Sequence, residues 1–287
     1  MIKKYNKFNI YELTYLKLIG LLELCWSFFK KQKKSADKID VIISLHEKDI
    51  EILEYCILGI RKNLMHEISQ IFIISKDISK TRKEIEKLNC SFVDENSLID
   101  LKKENINYVY KNIDRSGWLF QQFLNYAGVV KLGMSEYKFC INADTILSKK
   151  QTFLKNNKIV FNACDDYHLD YFDAAEKILG IKNFSKFSFT SHHMLYRRSI
   201  MESMHKIIEK RFKEKWYFAI YNNVNKNLHA CHSDFETYAQ FVFNYHRNSM
   251  KIEYWFNKTI FKDKSISNYF NQFILKSISF HSWTKNL

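Results

Sequence analysis

The sequence predicts an α/β fold, a mixed but mainly parallel sheet flanked by helices, and three observations carry that expectation. Short β-branched runs alternate with stretches of helical periodicity over residues 39–93. A second helix-to-strand unit follows over residues 119–145, and the remainder is richer in helix and aromatic residues. No repeat or low-complexity linker divides the chain, so the organisation read here is a basic amphipathic extension, residues 1–38, followed by one domain, residues 39–287.

The elements follow in order. Ile39-Asp40-Val41-Ile42-Ile43-Ser44-Leu45 suits a buried strand. Asp49 can cap the next helix, in which Ile50, Leu53, Ile57, Ile60 and Leu64 recur at helical spacing. Ile71–Ser75 reads as a strand, Ser79–Lys87 as a charged helix and Cys90–Val93 as a short strand. Leu119–Leu132 reads as a helix feeding the strand Tyr137–Ile141, and a further strand is expected at Ile159–Asn162. Helices are expected around Ser199–Phe212 and Ser233–Phe243, with a short strand near Ile278–Phe280.

Composition narrows the function classes. Of the formal net charge of +14, residues 1–38 carry +6, from nine Lys and three acids. A basic surface attracts phosphate in nucleic acid, anionic lipid or a nucleotide-sugar. The apolar stretch Leu13–Phe29 is interrupted by Lys17 and Glu23 and flanked by Lys clusters, which disfavours a spanning helix. It also lacks the small-residue cleavage site of a signal peptide. Packing on the domain and lying on an anionic membrane surface are the two readings left open for it. Six scattered cysteines without a CxxC pair point to a reducing compartment, not a zinc ribbon or a stapled scaffold.

No glycine-rich phosphate loop follows the first strand, which argues against a dinucleotide or ATP site of the usual kind. Ligands of such sheets sit at the carboxyl ends of the strands, and there Asn142-Ala143-Asp144-Thr145 follows Tyr137–Ile141. A carboxylate fixed just beyond a buried strand suits a hard divalent cation that bridges phosphate oxygens. The alternative is that Asp144 only closes a turn.

In order along the chain stand Lys48-Asp49, Arg115-Ser116-Gly117-Trp118-Leu119-Phe120-Gln121-Gln122, Asn142-Ala143-Asp144-Thr145, Ser191-His192-His193-Met194 and Ser233-Asp234-Phe235-Glu236. This set resembles a bacterial family of GT-A glycosyltransferases of the surface-polysaccharide and lipooligosaccharide type. The resemblance implies a GT-A fold, a nucleotide-sugar donor, and a glycan or lipid-linked saccharide acceptor. It also implies a divalent metal, Mn²⁺ or Mg²⁺, held by Asp144 and, from near the C-terminus, His281. Donor contacts fall on Ser44, Lys48, Asp49, Arg115, Trp118, Gln121, Asn142, Ala143 and Asp144, and acceptor contacts on His192 and His193. The sequence departs from the usual triad at Asn142, where an aspartate is the rule, so the charge available to a metal is lower.

For transfer with inversion a carboxylate must take the acceptor proton. Glu236 and Asp234 are the candidates, and a helix start favours both as anions. Ser233 with Glu236 also forms the pattern of a capping box, which explains Glu236 without catalysis. His229, Cys231 and His232 do not complete a zinc set. The rival readings are a basic nucleic-acid-binding protein and a non-catalytic scaffold of the same fold. No helix-turn-helix, zinc-finger or RNA-recognition pattern supports the former, so nucleic acid is not an expected partner. The expected location is cytoplasmic, peripheral on the inner face of the cytoplasmic membrane.

Overall fold

The structure is a computed structural model that describes residues 10–27, 34–261 and 274–281. In chain order the first half comprises α1 (Ile10–Ser27), β1 (Lys38–Ser44), α2 (Ile50–Asn63), β2 (Glu67–Ser75), α3 (Ser79–Lys87), β3 (Ser91–Asp94), β4 (Val109–Tyr110), β5 (Ile113–Asp114), α4 (Ser116–Lys131) and β6 (Tyr137–Ile141). The second half comprises β7 (Thr145–Leu147), β8 (Leu154–Lys155), β9 (Lys158–Ala163), α5 (Leu169–Leu179), β10 (His193–Arg197) and α6 (Arg198–Phe212). It ends with α7 (Trp216–Asn223), α8 (Asp234–Tyr245), β11 (Met250–Tyr254), β12 (Asn257–Phe261) and β13 (Ser277–His281).

The main sheet has the order β10-β6-β1-β2-β3. Four of its strands are parallel and β10 runs antiparallel at one edge. This is the expected mixed, mainly parallel architecture. β1 lies in the middle, and Ile39, Val41, Ile42 and Ile43 are wholly buried because helices cover both faces of the sheet. α4 crosses β1 closely: a methyl group at Gly128 would stand 3.1 Å from both Ile42 and Ile74 side chains. A second sheet, β11-β9-β8, and a third, β12-β13-β7, extend the fold beyond β6. β13 pairs antiparallel with β7, and the Phe280 N–H donates to the Asp144 carbonyl at 2.8 Å. The chain's C-terminal part is thereby brought back to the end of β6.

At the amino end of the parallel strands lies a buried ion pair, Lys138 Nζ to Asp40 Oδ2 at 2.5 Å, with both side chains almost fully covered. Asp40 Oδ2 also accepts from the Ser135 N–H, so the β6 entry loop is tied to β1. Gly133 in that loop has φ +62° and passes so near Asp40 that any Cβ would collide with its carboxylate.

Helix α1 packs on the chain that follows it. Leu13 and Leu24 are buried, Gly20 lies against Phe256, and Lys17 pairs with Asp165 at 2.7 Å. Among the described residues no helix is long and apolar enough to cross a membrane.

Removing one partner of a buried pair strands a charge. Lys138→Met is therefore expected to cost about 3–5 kcal/mol of stability in urea unfolding. The double variant Asp40→Asn, Lys138→Met is expected to recover much of that loss, and recovery would be absent if the pair were solvated.

Candidate functional site

At the carboxyl ends of β1, β2 and β6 a crevice of about 670 Å³ opens between the strand tips, the start of α4 and the start of α8. Its lining brings together eleven of the residues singled out from the sequence: Ser44, Lys48, Asp49, Arg115, Trp118, Gln121, Asn142, Ala143, Asp144, His192 and Asp234. They come from five separate stretches of chain that only the fold assembles.

The strand tip of β6 is a tight turn in which the Thr145 N–H donates to the Asn142 carbonyl at 3.0 Å. The Asn142 N–H donates to the carbonyl of His192, also at 3.0 Å, which fixes the turn against the chain leading into β10. Asp144 therefore does close a turn, and its half-buried side chain also lines the crevice. His192 has φ +65°, a conformation costly for a residue with a Cβ, and this backbone turns its side chain toward the crevice.

Its neighbour His193 goes the other way and corrects the expectation of an acceptor contact. His193 is buried, its Nδ1–H donating to the Ser191 carbonyl at 2.8 Å and its Nε2 3.0 Å from the Asn162 side-chain amide, among Phe139, Phe153 and Trp255. Desolvation pushes its pKa down to about 3, so it is a neutral core histidine.

On the opposite wall Arg115 stands at the N-terminus of α4, its guanidinium 4.4 Å from the centre of the Trp118 ring. Arg115 Nη1 donates to His229 Nε2 at 2.7 Å, which requires the neutral imidazole with its proton on Nδ1. Burial and the adjacent Arg115 charge both lower the His229 pKa, in keeping with that state. The buried Arg115 Nε–H has no acceptor among the described residues, a donor that an anionic ligand in the crevice would satisfy. Gln121 Nε2 donates to the Ser44 carbonyl at 3.2 Å, so Trp118 and Gln121 share the crevice-facing side of α4 as their spacing implied. Asp49 occupies the N-cap position of α2 but makes no side-chain capping bond, and its carboxylate lines the crevice instead.

The two carboxylates of α8 part company. Asp234 lines the crevice, 4% exposed, with Oδ2 accepting from Asn125 Nδ2 at 2.8 Å. Asn125 Oδ1 in turn accepts from the Ser44 hydroxyl at 2.8 Å. The Asp234 backbone is held from the same helix: its N–H donates to Gln122 Oε1 and its carbonyl accepts from the Tyr126 hydroxyl. Glu236 is fully buried and absent from the crevice lining. Its Oε2 accepts from the Ser188 hydroxyl and the Phe189 N–H, and its Oε1 from Gln240 Nε2.

A base must lie within reach of the proton it takes. Glu236 is thus corrected from candidate base to an anchor for residues 188–189. Half of the expected capping box forms, the Ser233 hydroxyl accepting from the Glu236 N–H at 3.2 Å, while the carboxylate is used elsewhere. The helix start does not hold either acid at the ordinary carboxylate value. Burial raises the Asp234 pKa to about 6 and that of Glu236 to about 7, and this outweighs the helix start and the hydrogen bonds.

Several lining residues escaped the sequence reading, among them Asn125, Asp166, His168, Tyr171 and Thr190. Asp166 and His168 pair at 2.7 Å, which raises the His168 pKa. Both follow β9 closely, so the strand-end argument applied to Asp144 could have found them. Among the described residues no three His, Cys, Asp or Glu side chains gather as a metal cage. Of the predicted metal pair, Asp144 lines the crevice. His281 ends β13, beside the Phe280 that bonds the Asp144 carbonyl, and its side chain lies outside the described residues.

No family model matches the chain, and no curated protein matches it by sequence. Among solved structures the chain is similar to the galactosyltransferase LgtC in complex with donor and acceptor sugar analogs (10% identity, TM-score 0.46, 84% of this chain and 86% of that one). It is similar to mouse xyloside xylosyltransferase 1 (11% identity, TM-score 0.46, 88% and 100%). A third is the bifunctional glycosyltransferase WbbM (12% identity, TM-score 0.46, 87% and 46%). Likeness at this level leaves the functional reading to the residues themselves.

The raised Asp234 pKa has a sign that can be tested. Its folded value lies above the ordinary carboxylate value, so its contribution to stability is full below about pH 4 and is lost as pH rises through about 6. Asp234→Asn, which does not titrate, is expected to gain about 2–3 kcal/mol on the wild type between pH 4 and pH 8. Melting curves at the two pH values check this, and an unchanged difference would show that Asp234 is solvated.

Proposed function

We propose that this chain is a GT-A glycosyltransferase that moves a sugar from a nucleotide-sugar donor to a glycan or lipid-linked saccharide. The setting proposed is bacterial surface-polysaccharide synthesis at the inner face of the cytoplasmic membrane. The single observation that supports this most is the crevice itself. One cavity at the strand ends collects a cationic wall with an unsatisfied guanidinium N–H, a strand-end carboxylate and a buried carboxylate of raised pKa.

In this reading the Arg115 fork and Lys48 hold the diphosphate, and Trp118 supplies an apolar wall beside it. A divalent cation would be held by Asp144 and would offset the negative charge that develops on the departing diphosphate. The described donor set fits such an ion only as one carboxylate, with phosphate oxygens and water left to complete its shell. Asn142 brings no charge, and its amide is directed to the His192 ring at 3.5 Å.

Asp234 is the residue proposed to take the acceptor proton, with inversion at the sugar carbon. Its surroundings hold it as the neutral acid below about pH 6 and as the base above. His192, on the opposite lip, offers ring nitrogens to sugar hydroxyls.

Two experiments test this. Uridine, guanosine, cytidine and adenosine diphosphates, each with and without Mn²⁺, are screened by thermal shift against wild type and Asp144→Ala. A ligand that binds only the native state raises the melting temperature. Stabilisation by one nucleotide that depends on Mn²⁺ and Asp144 is the expected result, whereas stabilisation by RNA or DNA alone would replace this reading with the nucleic-acid one. With the donor known, kcat/KM should rise with pH through about 6, and Asp234→Asn should lose at least about 100-fold in kcat. A fully active Asp234→Asn enzyme would remove Asp234 from the chemistry.

A further inference from the structure

Helix α1 is apolar on two opposite sides, and the domain uses one of them. Leu13, Gly20 and Leu24 face the domain and are buried. At about 100° per residue, Tyr11, Tyr15, Leu18, Leu22 and Trp26 fall within an arc of about 80° on the other side. These five are 83%, 64%, 57%, 63% and 68% exposed. Ile10 and Leu21 widen the stripe. Seven of the fifteen large hydrophobic side chains exposed among the described residues therefore sit on this one helix. A contiguous apolar face of this kind marks an interaction surface, whereas exposed hydrophobics scattered singly do not.

The charges around the stripe identify what covers it. Lys3, Lys4 and Lys7 precede α1 in the sequence and Lys30, Lys31, Lys33 and Lys34 follow it, without an acid among residues 1–9 or 28–34. Aromatic and leucine side chains on one face, with lysine clusters at both ends, match the chemistry of an anionic lipid surface: acyl chains for the stripe and phosphate headgroups for the lysines. Along the buried side of α1, Lys17 bridges to Asp165 and Glu12 to Lys186.

We propose that the outward face of α1 is a membrane-docking surface for anionic phospholipid bilayers, with α1 lying in the plane of the interface. Asp165 neighbours Asp166 of the crevice lining, so docking through α1 holds that rim of the crevice close to the lipid surface. The inference does not depend on sugar transfer, and its test involves no nucleotide.

Flotation of the full chain with vesicles is the measurement, using phosphatidylcholine alone and phosphatidylcholine mixed with phosphatidylglycerol. The wild type is expected to float with the anionic vesicles and far less with the neutral ones. The variant Leu18→Ser, Leu22→Ser, Trp26→Ser changes only exposed side chains, so its melting temperature should match the wild type while anionic-vesicle binding falls at least about tenfold. Replacing Lys30, Lys31, Lys33 and Lys34 by Gln, which leaves the stripe intact, should weaken binding by a similar factor and reduce its salt sensitivity. Equal binding by the stripe variant overturns the proposal. So does a wild-type dimer in light scattering that the stripe variant dissolves, with no vesicle binding by either, because the face would then be covered by a second copy.

Discussion

The crevice depends on one helix face, the side of α4 that carries Gln122, Asn125 and Tyr126. Three and four residues apart, these project together from the helix. All three hold Asp234, through its N–H, its carboxylate and its carbonyl, while Asn125 also accepts from Ser44 at the tip of β1. A buried carboxylate is costly unless its hydrogen bonds are met. Here the partners meet enough of them to place Asp234 and too few to keep its pKa down. The same contacts fix the start of α8 to the sheet, so the position of the acid and the packing of the helix are one constraint. Gly128, one turn further along α4, permits the close approach to Ile42 and Ile74 on which that placement rests.

How much of this was legible in the sequence follows from range. β1 and the second half of β2 are rich in β-branched residues because both faces are buried there, and α3 and β6 begin and end where local pattern put them. Beyond the parallel strands, β9 and β13 were legible as short apolar runs, whereas β7, β8, β10, β11 and β12 were not. β11 carries Lys251 and Glu253, and Glu253 is tolerated only because Lys155, nearly a hundred residues away, and Lys251 pair with it. β7 is three residues long and exists as a strand through β13, more than a hundred residues later. Such elements are made by tertiary pairing, and a local window holds no trace of it.

The errors within the site have a simpler geometric cause. Asp234 and Glu236 stand two apart on a helix, about 200° around its axis, so they cannot both face one crevice. His193 opens β10, whereas His192 just before it has φ +65°, outside the extended region, and this turn of the backbone sends the two side chains apart. In each pair the fold brings one member to the crevice lining and buries the other away from it. For the helix pair periodicity alone could have required the choice, although it could not have said which member wins. Burial decided that: Glu236 and His193 go to the core, where backbone and side-chain partners already await them.

The Lys and Arg side chains that line the crevice all come from one side of it. Its cations come from the ends of β1 and β2 and from the segments around β5: Lys48, Lys76, Lys103 and Arg115. The same side also carries Glu47, Asp49, Glu95, Glu104 and Asp114, whereas the ends of β6 and β9 and the start of α8 bring Asp144, Asp166 and Asp234 to the lining with no Lys or Arg. A ligand with a polyanionic tail would lie across β1 with that tail toward the cations, in the sense that keeps it away from Asp144, Asp166 and Asp234. For the proposed donor that sense puts the sugar beside Asp234 and His192. It also puts the transfer on the side of the crevice where Asp165 ties the domain to α1. A lipid-linked acceptor approaching along a surface bound by α1 would then meet the acids first, without crossing the wall that holds the nucleotide.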